Sequence, residues 1–206
     1  MTRAAIAGIV RRYLPVFALL AASTAQAQYF WIDGDADGRR IQSGELGKPA
    51  AIADTRGARA FAADGKDLAL AALDGGYRAA PGGGDLRFAA SRADDKALTL
   101  FHARFGRQET KAVSDLELVP TTPGGNSFRL FWKGNPVSAS QVNVVTSEGW
   151  SRILRPAADG SVSFNPSFPG LYVLEVSARI NGSATVDGKK YDDVRHVATL
   201  SFRVDR

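Results

Sequence analysis

Few side chains in this sequence are equipped for acid–base, metal or nucleophilic chemistry. The 206 residues include no cysteine and two histidines, His102 and His196, which excludes thiol catalysis, Cys-ligated zinc and iron–sulfur clusters. The chain also lacks Gly-x-Ser-x-Gly, His-Glu-x-x-His and a nucleotide-binding glycine loop. Pro81-Gly82-Gly83-Gly84-Asp85 has neither the spacing nor the following Lys-Ser/Thr of a phosphate cradle. This inventory predicts a protein that is not an enzyme. Paired imidazoles suit nickel, copper or zinc, so His196 and His102 are the candidate ligands for a divalent transition metal. Each also sits on the apolar parity of its strand, where a buried, hydrogen-bonded structural histidine is the competing reading.

Two acidic stretches add alternatives. Asp33-Gly34-Asp35-Ala36-Asp37-Gly38 begins like a calcium loop, with Asp33, Asp35 and Asp37 as alternate oxygen donors. The twelfth position is Gly44, however, with Glu45 one residue late, so the same segment also reads as a polar turn. Tyr191-Asp192-Asp193-Val194-Arg195-His196 is the densest ionisable stretch and opens the last strand. It offers Tyr191, Asp192, Asp193 and Arg195 as a binding surface, or else forms ordinary surface ion pairs.

The elements that must position these residues are strands. Downstream of Ala27, apolar residues recur at period two in short runs broken by Gly, Asp, Asn and Pro. Phe128, Leu130 and Trp132 share one face, and Lys133-Gly134-Asn135-Pro136 then turns the chain. Val142 and Val144 carry the next strand, Glu148-Gly149 and Ala158-Asp159-Gly160 turn again, and Leu171 to Val176 follows Phe168-Pro169-Gly170. In the last strand Val194, His196, Ala198, Leu200, Phe202 and Val204 fall on one parity, opposite Arg195, Thr199, Ser201 and Arg203. The earlier segments Tyr29–Ile32, Ala58–Ala62, Leu68–Leu73, Leu86–Ala90 and Leu98–Phe105 are less regular strands. Turns every eight to twelve residues predict an all-β protein of two β-sandwich-like domains, residues 28–112 and 113–206. Trp132, Tyr172, Leu174, Leu200 and Phe202 are expected in the second core. His102, in the less regular domain, is expected to lie far from His196.

The N-terminus sets the compartment. Arg3, Arg11 and Arg12 precede a short apolar run from Tyr13 to Leu20 and an Ala25-Gln26-Ala27 cleavage site, the pattern of a signal peptide over residues 1–27. The run falls short of the roughly 20 residues that span a bilayer, so no membrane insertion of the mature chain is expected. Removing three arginines lowers the formal charge from +5 to +2. No Lys/Arg cluster remains for a phosphate backbone, and nucleic acid is excluded as a partner.

Gly134-Asn135-Pro136-Val137-Ser138-Ala139-Ser140-Gln141-Val142, followed by Ala157-Ala158-Asp159-Gly160-Ser161-Val162, resembles carboxypeptidase-regulatory-like and transthyretin-like sandwiches. With Leu116-Glu117-Leu118-Val119-Pro120, Tyr191 to Arg195, Ala198-Thr199-Leu200 and the early Phe30-Trp31, the mature chain resembles a nickel-uptake-associated periplasmic domain family of largely unknown function. That resemblance implies an immunoglobulin- or transthyretin-like second domain and a periplasmic accessory protein that binds or delivers a transition metal, nickel foremost. It implies a metal transporter or outer-membrane receptor as partner. It adds Trp31 to the binding candidates, and Asp192 or Asp193 to His196 and His102 as ligands. The histidine that often precedes the aromatic pair in that family is here Gln28 or Tyr29. The alternative function is a scaffold that binds an envelope membrane protein through a sheet edge or exposed aromatics.

Overall fold

The computed structural model describes residues 28–35, 38–52, 54–180 and 183–205; the expected signal peptide, residues 1–27, lies outside them. All regular structure among the described residues is β, as the period-two pattern requires. None of them forms a helix long and apolar enough to cross a membrane.

The strands form three layers. The middle layer is an eight-stranded sheet in the order β14 (Ser151–Leu154), β13 (Val142–Thr146), β16 (Gly170–Ile180), β19 (Asp193–Val204), β9 (Ala97–Phe105), β8 (Leu86–Ala93), β4 (Thr55–Phe61) and β5 (Asp67–Leu68). Against one face lies a sheet of β1 (Tyr29–Asp35), β2 (Gly38–Glu45), β7 (Gly76–Ala79) and β6 (Leu70–Leu73), with β3 (Lys48–Ala50) beside β2. Against the other lie β10 (Leu116–Pro120), β11 (Ser127–Trp132) and β12 (Asn135–Val137), with β15 (Ser161–Ser163) on β11. A separate hairpin pairs β17 (Ala184–Val186) with β18 (Lys189–Tyr191).

Local chemistry sets the turns. Lys133 and Gly134 link β11 to β12 with φ of 47° and 79°, and Asp187 and Gly188 link β17 to β18 with 51° and 77°. Successive positive φ values define the two-residue turn whose twist matches a hairpin, and glycine at the second position adopts it without steric cost.

Two cores result, one on each side of the middle sheet. The second is built from residues 116–202, with Tyr172, Leu174, Leu200 and Phe202 buried and Trp132 packed against it. The first centres on Phe30, Trp31, Ile32, Phe88 and Phe101, and draws Leu171, Val173 and Val197 from the C-terminal half. A boundary near residue 112 therefore separates the cores' principal strands but not the sheet, because β9 and β19 pair in parallel from Ala97↔Asp193 to Phe105↔Ser201. The two sandwiches share their central layer.

The layering covers β19 on both faces: Val197, Thr199 and Ser201 are buried along with Ala198, Leu200 and Phe202. Thr199 Oγ1 donates to the Phe30 carbonyl and Ser201 Oγ to the Ile32 carbonyl, each at 2.6 Å. Polar residues on that parity thus satisfy the backbone of β1 where it crosses the sheet.

Candidate functional site: the His102–His196 pair

The parallel register sets Ala198 opposite His102 and Leu100 opposite His196, so both imidazoles rise from adjacent strands on the face of the second core. Contrary to the expected separation, His102 Nε2 and His196 Nδ1 lie 2.9 Å apart. Their rings are parallel within 4°, with centroids 5.2 Å apart. Facing nitrogens so much closer than the ring centres mean that the rings lie edge to edge and share one N–H···N hydrogen bond. Trp132, from β11, stands perpendicular to His196 at a centroid distance of 4.7 Å. The sequence hid this proximity because parallel strands are joined by long crossovers and leave no local turn signal.

Burial is the main influence on both rings. It pushes the His102 pKa down to about 4, helped by His196 and opposed by Asp115. Burial also lowers His196, with Asp115 opposing and Lys133 reinforcing the shift. Both imidazoles are therefore neutral at pH 7, the protonation state in which histidine ligates metals. Their nitrogens fall within the roughly 4 Å that two bonds of about 2.0 to 2.1 Å to a shared first-row ion permit. Among the described residues, no group of three or more His, Asp and Glu side chains converges as a metal cage.

The remaining candidates sit elsewhere. Asp193, expected as a third ligand, pairs with Arg179 at 2.9 Å and Arg195 at 2.6 Å, and Asp192 pairs with Lys190 at 3.0 Å. Tyr191 is buried beneath the ammonium of Lys189. The polar stretch is thus a set of ion pairs at the start of β19. Asp33 accepts two hydrogen bonds from Arg203, at 2.8 and 2.7 Å, and sits in the β1–β2 hairpin rather than a helix-flanked loop. The Asp35 side chain and Asp37 lie outside the described residues. Trp31 is 2% exposed in the first core, which removes it from any surface site.

A buried charge cluster was not anticipated. Arg87 and Arg104 face each other across β8 and β9, both wholly buried. Glu117 Oε1 accepts from both, at 2.9 and 2.8 Å, while Asp85 takes Arg104 at 2.6 Å and Glu109 takes Arg87 at 2.6 Å. Glu117 Oε2 also accepts the Val113 and Ser114 amides at 2.7 Å each, tying down the connector that precedes β10. Leu86-Arg87-Phe88 and Ala103-Arg104-Phe105 were the available signal: single arginines inside otherwise apolar strand runs.

No family model, curated protein or solved structure matches the chain.

Proposed function

We propose that the protein is a periplasmic, non-enzymatic accessory protein that carries a divalent transition ion, nickel foremost, on His102 and His196. The convergence of two neutral imidazoles across the β9–β19 seam supports this reading. Two protein ligands leave the remaining coordination positions to water or to groups from a transporter or receptor, as suits a carrier that releases its cargo. Binding requires the shared N–H proton to leave the facing nitrogen. That ring can retain the proton on its other nitrogen and stay neutral, so uptake need not be coupled to net proton release.

Calorimetric titration of the purified protein with nickel, copper and zinc tests the proposal, with His102→Gln and His196→Gln alongside. One ion per chain should bind at micromolar concentrations, and either substitution should weaken binding by about tenfold or more, in line with the loss of one of two ligands. Absence of heat and bound metal, or undiminished binding in both variants, would overturn it.

A further inference from the structure

The outer sheet containing β1 covers β9, β19 and β16 but stops short of β13 and β14, leaving one face of the middle sheet open. The register places Asn143 and Val145 of β13 beside Glu175 and Val173 of β16, and Ile153 of β14 beside Asn143. Asn143, Val145, Ile153 and Glu175 floor a groove of about 530 Å3 whose wall carries Tyr29, Glu45 and Leu46. Ile153 is 56% exposed within it.

One end of the groove is negative. Glu175 is 6% exposed, yet its hydrogen bonds come from neutral donors: Asn143 Nδ2 at 2.6 Å to Oε2, and the Ser177 hydroxyl to Oε1. No ion pair to Glu175 or Glu45 occurs among the described residues. A buried carboxylate ordinarily has a cation against it, because neutral donors offset only part of its lost hydration. Arg152 touches the rim, but its register partner is Val144 of the second core, so strand alternation directs its side chain to the opposite face. Burial raises the pKa of the Tyr29 hydroxyl, the Leu46 amide opposes that rise, and Glu175 and Glu45 both add to it. Both carboxylates therefore act on the same end of the groove. Beyond them the floor is apolar, through Val145 and Ile153.

We propose that this groove binds a small amphipathic organic cation, an arylalkyl- or alkylammonium, with its ammonium group at Glu175 and Glu45 and its apolar body on Val145 and Ile153. The site is separate from the histidine pair and does not depend on metal binding. An apolar pocket of this size with a few convergent polar groups at one end is the usual form of a small-molecule site. Glu175, buried and without an ion pair among the described residues, specifies the sign of the charge.

Amide NMR titration of the purified protein with phenethylamine, phenethyl alcohol and hydrocinnamate separates charge from shape. Phenethylammonium should shift the amides of Val145, Ile153 and Leu46, while the alcohol and the carboxylate leave them in place. Glu175→Gln should weaken amine binding by about tenfold, in keeping with the loss of a charge-assisted contact. If that variant fails to fold, Glu45→Gln carries the test, with a several-fold loss expected. Equal binding of amine and alcohol, no shifts with the amine, or binding unchanged in the folded variants would overturn the proposal. So would binding of a lysine-containing peptide without binding of the free amine, which would make the groove a peptide site.

Discussion

His102 shows how burial sets a residue's chemistry. Its imidazole titrates at about 4 in the fold, against an ordinary value of 6.5. Above pH 6.5 the folded and unfolded chains both hold it neutral. As pH falls from 6.5 to 4, the unfolded chain takes up a proton that the folded chain refuses, so stability decreases through that window and levels off below it. The loss attributable to this group is on the order of 3 kcal/mol. Chemical denaturation at a series of pH values should show this slope, and His102→Gln should flatten it; an equally steep fall in the variant would count against the assignment. Strand parity made both histidines legible as buried beside apolar neighbours. Their adjacency was not legible, because 94 positions separate them and the contact arises only when two distant strands pair.

At the scale of elements, strands and turns could be read from alternation and glycine placement, as at Lys133-Gly134 and Glu148-Gly149; the Asp187-Gly188 turn was not among those readings. Periodicity fails where a strand is covered on both sides. Thr199 and Ser201, polar residues opposite the apolar parity of β19, are buried donors to the β1 backbone. Thr199→Val keeps the shape and removes the hydroxyl, leaving the Phe30 carbonyl without that donor. It should cost about 1 to 3 kcal/mol, as should Ser201→Ala at Ile32. Urea midpoints should fall with unchanged slopes. Wild-type midpoints in both variants would show that β1 does not depend on these hydroxyls. Trp31 is the converse case: the family resemblance offered it as a binding residue, but its side chain is buried in the first core, on the outer sheet that packs against the middle one.

For the molecule as a whole, Glu117 joins two buried arginines on the middle sheet to the connector leading into the second core. Glu117→Gln leaves the facing guanidinium groups without their shared counter-charge and should destabilise the protein by about 3 to 5 kcal/mol. Thermal unfolding measures the loss, and limited proteolysis should find new cleavage between residues 107 and 115. A change below about 1 kcal/mol would mean that Asp85 and Glu109 suffice for both arginines, in the range of an ordinary surface substitution. The β9–β19 seam also imposes an order in time. During synthesis β9 emerges well before its parallel neighbour, so its backbone edge stays unpaired until residues 193–201 exist. Meanwhile the first core still waits for Leu171, Val173 and Val197. A nascent chain of this architecture is thus a half-finished sheet with an adhesive edge, dependent on speed or a chaperone to escape aggregation until its last strand arrives.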